Sequence, residues 1–435
     1  MSSKEFQECI DEIAGLIKKG QVLFFVGSGI SREKPTGLPT GETLRNELVE
    51  LFCFDQENDI KQYLLNAVEK ITLEEVSQVI YEHIDDRLLD LLSTILDDQK
   101  VQPNNIHQFL AKSLTYGNVV VTTNYDSMIE RAYTENVPKE IQKEKALWLY
   151  YDDHHFDEFY DYRQNIVSSE EDTKWFSPIL KLHGTLQDIR SKRNTRDSVI
   201  TILSRIESLP LPKKKALKNL FDDYHVIFMG YSARDLDIFE CLSEITSRRE
   251  DLTLKWNLDI SETISDLYRI TGIGGGMNKK KIFWIKYYPE QEPKILTYKN
   301  IKDESKRKTD WETLNTNKVL LNRCIYGTDL GIKIKQTAIK FVEALANRLK
   351  KIDDKHFWIL PKQQDTPDEQ HLKSYRKDKL IELASTVPKY SRMLILADIA
   401  EKARVWGIAK QFCKEAQLID IIVTNLIFLT YVPHQ

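Results

Sequence analysis

Apolar residues follow two rhythms along this chain. The first is a set of unbroken runs: VLFFV from Val22, VVVTT from Val119, VIFMG from Val226 and KIFWIKYY from Lys281, with a shorter one, PILKLHG, from Pro178. Continuous, β-branched runs of this length suit strands covered on both faces, as in a parallel sheet. The second rhythm repeats every three or four residues. It joins Phe6, Ile10, Ile13, Leu16 and Ile17, then Leu44, Leu48, Leu51 and Phe52, then Ile106, Phe109, Leu110 and Leu114, then Phe239, Leu242 and Ile245. That spacing puts each group on one face of a helix. Strands alternating with helices predict an α/β fold, a Rossmann-like doubly wound parallel sheet with helical insertions.

The pattern changes towards the C-terminus. Residues from Lys294 to Asp310 are rich in Lys, Asp and Glu and read as a linker or surface excursion. Helical patterns follow in QTAIKFVEALANRLKKI and MLILADIAEKARVWGIAKQFCKEAQLI, separated by a polar, Pro-containing stretch from Leu360 that reads as a loop. The expected division is residues 1–295 as the main α/β domain and 296–435 as a smaller, mainly helical region for regulation or oligomerisation. The tail segment IDIIVTNLIFLTYV carries Asp420, Thr424 and Asn425 and is too short to span a bilayer, so it reads as a buried element. The first twenty residues lack the uninterrupted apolar core of a signal peptide.

Composition narrows the choice without deciding it. The chain has 435 residues, 41% hydrophobic and 29% charged, the profile of a globular protein of about two or three domains. Lys plus Arg is 62 against 66 for Asp plus Glu, a formal charge of −4. That balance makes no electrostatic case for nucleic acid or an anionic membrane as partner. Cys9, Cys53, Cys241, Cys324 and Cys413 are scattered, with no CxxC pair. Such a set fits reduced thiols in a cytoplasmic protein rather than a disulfide framework or a zinc ribbon.

Candidate chemistry gathers at the ends of the apolar runs. VLFFV leads into Gly27-Ser28-Gly29-Ile30-Ser31, a turn whose glycines let a backbone come close to a pyrophosphate at a helix start. It is neither GxxxxGK[ST] nor a full GxGxxG, since Arg32 stands at the third glycine position; a plain strand–helix turn accounts for it equally well. GLPTGETL, from Gly37, marks a turn before a helix. VVVTTNYDS ends a strand in Thr122, Thr123, Asn124, Tyr125 and Asp126, at the edge where open α/β sheets bind ligands. A cap on the next helix would explain Asp126 or Ser127, but not Thr-Thr-Asn together. ILKLHG places His183 at a strand end before Gly184, where an imidazole could act as general base or merely be structural. MGYSARDLD gives another strand–turn–helix with Gly230, Ser232, Asp235 and Asp237. Surface or packing roles suit His154 and His155, a structural role His107, and a plain loop GIGGG from Gly272.

The ordered set GSGIS, GLPT, TTNYD, KLHG and GYSARDLD resembles the sirtuin-like (Sir2-like) domain, in the NADase branch found in bacterial antiphage defence proteins. The resemblance covers about the first two-thirds of the chain. It implies NAD+ as substrate, with Gly27, Ser28, Gly29, Ile30 and Ser31 at the pyrophosphate, and Thr122, Thr123, Gly230 and Ser232 as further binding positions. Asn124, Asp126 and His183 are then the catalytic set. Asn124 holds the ribose hydroxyls and the attacking water, Asp126 the nicotinamide carboxamide or cationic charge, and His183 accepts a proton. Two departures matter: Ser28 stands where sirtuins carry Ala, and no cysteine lies between Cys53 and Cys241, so the four-cysteine zinc module of protein deacylases has no ligands there. The expected activity is therefore NAD+ glycohydrolysis without a metal. It would be gated through homo-oligomerisation or an activating partner such as a HerA-type ATPase, an Argonaute-type protein or a phage protein. A non-catalytic NAD+ or nucleotide sensor, and a zinc-free deacylase or ADP-ribosyltransferase, remain alternatives.

Overall fold

The computed structural model describes residues 3–159 apart from Asp86 and 97–100, and 177–231 apart from 190–192, 196–197 and 200–208. It also describes Asp237, Ile238, Cys241, the strand segments 282–285 and 331–334, and 338–431 apart from 353–356 and 361–368. For Ser3, Glu5, 193–194, 282–285, 331–334, 369–376 and 419–431 the backbone alone is described. The expectations placed on Phe239, Leu242, Ile245, GIGGG and the 294–310 linker fall outside these residues.

The chain runs α1 (Ser3–Lys18), β1 (Val22–Val26), a short 3-10 turn (Ser28–Ser31), α2 (Gly41–Phe52), α3 (Asn58–Val68), α4 (Leu73–Ile84), α5 (Arg87–Leu96) and α6 (Asn105–Leu114). Then come β2 (Val119–Thr122), α7 (Met128–Asn136), α8 (Lys139–Glu144), β3 (Leu147–Tyr150), β4 (Ser177–Lys181), β5 (Gln187–Asp188), β6 (Arg193–Asn194), α9 (Leu211–Asp223) and β7 (His225–Met229). It closes with β8 (Ile282–Ile285), β9 (Gly331–Ile334), α10 (Ala338–Ile352), α11 (Glu369–Ser385), α12 (Lys389–Lys402) and α13 (Trp406–Tyr431). Seven strands form one sheet in the order β3-β4-β2-β1-β7-β8-β9, and every pairing in it is parallel.

The unbroken apolar runs are explained by this sheet. Val22, Phe24 and Val26 of β1 pack on one face among α1, α6, α7 and α10, while Leu23 and Phe25 pack on the other with α9. A strand covered on both sides has no polar face to show, so period-two alternation vanishes. Each such side chain taken fully out of water contributes about 1.5–3 kcal/mol. Each of the five runs read as strands contains one, while the apolar tail from Ile419 lies in helix α13; LWLY (β3) and GIKI (β9) are two further strands, too short and too closely flanked by polar residues to stand out.

By contact the chain divides into two compact units, otherwise than by a single cut at residue 295. One holds Met1–Glu33, Pro103–Ser198 and Glu207–Gln363, and carries the whole sheet; the other holds Lys34–Gln102, Val199–Ile206 and Gln364–Gln435. The reason lies in the helices of 34–102. Their apolar faces, with Leu48, Val76, Ile80 and Leu92 buried, pack among themselves and with the C-terminal helices α11 and α12. In this unit Arg392 of α12 meets Asp55 at 3.0 Å and lies over the Phe54 ring, and His83 of α4 meets Asp398 at 2.8 Å. The long helical pattern from Met393 breaks between α12 and α13, where Arg404 takes a positive φ.

Candidate functional site

The sheet register lines up four strand ends. Lys181 pairs with Thr122, Thr122 with Val26, and Val26 with Met229. The loops that follow, at His183, Asn124, Gly27 and Gly230, therefore leave from one carboxyl edge. Chain order reverses between β1 and β7, the place where open α/β sheets leave a crevice for ligands.

At that reversal the two glycine turns pack against each other. The Gly29 N–H donates to the Gly230 carbonyl at 2.9 Å, the Gly27 N–H to the Met229 carbonyl at 3.2 Å, and the Ile30 N–H to the Gly27 carbonyl at 3.1 Å. A Cβ on Gly29 would stand 2.7 Å from the Gly230 oxygen, and one on Gly27 2.8 Å from it. Gly230 itself has φ +59, a left-handed conformation that glycine adopts without strain. The glycines are thus required by the meeting of two backbones, and three of the turn's amides are engaged inside the protein.

A buried polar cluster lies just beyond. Ser31 Oγ donates to Asp126 Oδ2 at 2.9 Å, lies 3.1 Å from His107 Nε2, and accepts from Asn124 Nδ2 at 3.4 Å. The other oxygen of Asp126 accepts from the Met128 N–H at 3.1 Å, at the first residue of α7, whose N-cap position is Ser127. Asp126 thus holds Ser31 with one oxygen and the start of α7 with the other. Thr122 shapes the loop: its hydroxyl accepts from the Asn124 N–H at 3.0 Å, and its carbonyl from the Leu182 N–H at 2.9 Å. Thr123 is half-buried and ties back to the Val26 carbonyl. The amide oxygen of Asn124, on a residue 7% exposed, is buried without a hydrogen-bond partner. A buried polar atom left unpaired costs about 1–3 kcal/mol, which marks this oxygen as a place for a ligand donor.

His183 is also buried, and its Nε2 lies 3.2 Å from Asp237 Oδ2. Burial alone would raise the Asp237 carboxyl, but the hydrogen bond and charge of His183, with backbone N–H donors, hold it below the usual carboxylate range. Two buried lysines frame the loops. Lys181 Nζ donates to the Asp126 carbonyl at 2.6 Å and pairs with Glu130 Oε1 at 2.8 Å, while Lys213 Nζ donates to the Leu182 carbonyl at 2.7 Å. Burial raises the Glu130 carboxyl, an effect that Lys181 partly offsets, and burial lowers the Lys213 ammonium.

The edge thus brings together Gly27, Ser28, Gly29, Ile30, Ser31, Thr122, Thr123, Asn124, Asp126, His183 and Gly230; Ser232 lies outside the described residues. Sequence reasoning missed three partners: His107, Asp237 and Lys181. A structural role was expected for His107, and it has one as the third residue of a capping box whose Asn104 side chain accepts from the His107 N–H. Its ring also reaches Ser31. Burial lowers its pKa to about 4 despite the nearby Asp126, so the ring is neutral. The spacing P-N-N-I-H hinted at the cap; nothing in the sequence hinted at Ser31. His154 pairs with Glu158 at 3.4 Å and His155 with Asp152 at 2.8 Å. A cavity of about 510 Å³ lies away from the glycine turns, lined by Tyr133, Gln142 and Trp148 among others, and it takes in none of the expected site residues.

Fold and edge together define a doubly wound α/β protein whose candidate site lies outside the carboxyl ends of its strands. Residues 118–271 match the SIR2-like domain family, and over that span the chain is similar to SIR2-like domains. The match begins just before β2, so the Gly27–Ser31 turn and His107 precede it. A solved structure described as "Structural Basis for the Mechanism and Regulation of Sir2 Enzymes" aligns over 79% of this chain and 98% of its own, at 12% identity and a TM-score of 0.34. No curated protein matches the chain.

Proposed function

We propose that this protein is an NAD+ glycohydrolase that cleaves the nicotinamide–ribose bond to give nicotinamide and ADP-ribose. In this reading it is a cytoplasmic homo-oligomer, held silent until a partner or trigger releases it, and it defends against phage by depleting NAD+. The observation that carries the reading is the buried, unpartnered Asn124 oxygen on the same sheet edge as the His183–Asp237 pair. An amide acceptor and an oriented imidazole are what a hydrolytic step needs. The lack of cysteines between Cys53 and Cys241 favours hydrolysis over protein deacylation, since the zinc module of the deacylases has no ligands there.

The chemistry follows from the leaving group. The C1′–N bond breaks with its electron pair going to the nicotinamide nitrogen, which leaves neutral, so no general acid is needed. C1′ becomes oxocarbenium-like, as in glycoside cleavage. Asp126 faces that developing charge, and Asn124 Oδ1 takes a ribose hydroxyl or the attacking water. Water adds to C1′ and its proton passes to His183, whose imidazolium is balanced by Asp237. A buried carboxylate hydrogen-bonded to a histidine both orients the ring and stabilises its charged form.

Nicotinamide release from NAD+ tests the reading, measured on the purified protein alone and with the products of neighbouring genes. Release in at least one arm is expected, with Asn124→Ala and His183→Ala abolishing it while both remain folded. Full turnover by both variants refutes the residue roles. NAD+ binding with no release in any arm refutes hydrolysis and favours a sensing module.

A further inference from the structure

We infer that His107 is a positioning residue that fixes the direction of every hydrogen bond around Ser31, so that Asn124 offers the substrate its carbonyl oxygen and not its N–H. The inference rests on the hydrolase reading and adds to it a residue outside the motifs. It also states what Asn124 can take: a hydrogen-bond donor, either a ribose hydroxyl or water.

The direction is set by a group that cannot reverse. The backbone N–H of Asn104 donates to His107 Nδ1 at 3.2 Å, so Nδ1 carries a lone pair. The ring is neutral, and its proton sits on Nε2. Nε2–H therefore donates to Ser31 Oγ at 3.1 Å. The single Ser31 proton goes to Asp126 Oδ2 at 2.9 Å, since a carboxylate only accepts. Ser31 Oγ then has one accepting position left, and the group facing it from Asn124 at 3.4 Å must be the NH2. The remaining Asn124 atom is Oδ1, which is the buried, unpartnered one. Five groups on three elements thus agree on one polarity.

The network is full apart from that oxygen. Asn104 is itself anchored, its Nδ2 donating to the Ile30 carbonyl at 2.8 Å and the Glu33 carbonyl at 3.1 Å. The cap that starts α6 is thereby the reference point for the site. A flip of the histidine would cost the Asn104 bond, and a flip of the Asn124 amide would set two acceptors against each other.

Two measurements test the inference, and the first needs no turnover. In protein carrying ¹⁵N-labelled histidine, the long-range ¹H–¹⁵N spectrum of His107 should show the neutral Nε2–H form at neutral pH. An Nδ1–H form or an imidazolium overturns the proposal. The second compares His107→Gln with His107→Glu. Both keep an oxygen for the Asn104 N–H, as capping boxes use either residue, but only Gln can also donate to Ser31. His107→Gln should keep at least about a tenth of the wild-type kcat, and His107→Glu should fall below about a hundredth, a drop larger than the change in KM. Equal losses in the two variants would mean a merely structural role and overturn the proposal. If His107→Glu does not fold, the wild-type tautomer decides. If the wild type releases no nicotinamide, the reaction reading fails while the spectrum still answers for His107.

Discussion

Lys181→Met is the sharpest test of how the Asn124–Asp126 loop is held. Lys181 and Glu130 have side-chain exposures of 0% and 1% and meet at 2.8 Å, and the same ammonium holds the Asp126 carbonyl at 2.6 Å. Removing one partner of a buried pair leaves an uncompensated charge, at a cost of about 3–5 kcal/mol. At about 2–4 °C per kcal/mol for a unit of this size, the melting temperature should fall by roughly 10 °C. The variant Lys181→Met/Glu130→Leu should regain most of that stability, because a buried pair replaced by apolar side chains is close to neutral. It should not regain nicotinamide release, since the contact to Asp126 is missing from both variants. The pH dependence has a fixed sign. Glu130 is already raised above 4.5 by burial, and without Lys181 it rises further. The native state then holds a proton that the unfolded chain releases above 4.5, so stability falls as pH rises through that window. Urea unfolding at pH 5 and pH 8 should thus show a smaller deficit for Lys181→Met at pH 5. A deficit below about 1 kcal/mol at pH 8, or one that grows on acidification, refutes the reasoning.

Two other expectations follow from single features. His107 binds its proton at about 4 in the folded state against 6.5 for a free imidazole, so the unfolded chain holds more protons between those values and stability drops as pH falls from 6.5 towards 4. The loss should approach about 3 kcal/mol by chemical denaturation, and His107→Gln should remove that part of the slope. Gly29→Ala puts a Cβ 2.7 Å from the Gly230 oxygen and should cost about 1–3 kcal/mol, read as a lower melting temperature; a neutral result would show that the two turns do not abut.

The sheet was legible because its strands are buried on both faces: an apolar run such as VLFFV admits few other readings. β3 and β9 escaped for the opposite reason, being short and set among polar residues. The two-unit division was hidden because the helices of 34–102 and 364–435 are far apart in sequence, and amphipathic periodicity does not say which faces meet. At the candidate site, Asn124, Asp126 and His183 were visible because strand-end turns carry them. Their supports were not. His107 read as a helix-start residue and is one, Lys181 read as the tail of a strand, and Asp237 was one of two aspartates after a turn. Each acts through a partner more than fifty positions away, at distances that only folding sets.

The Asn104 side chain grips the Ile30 and Glu33 carbonyls, one on each side of Ser31 and Arg32, just where the chain departs for the helices of 34–102; Asn104 itself stands just past their return. The excursion is therefore a loop whose feet are buckled together, and the buckle shares its backbone with Ser31 on one foot and His107 on the other. Opening that buckle would disturb first the two residues that flank it, Ser31 and His107.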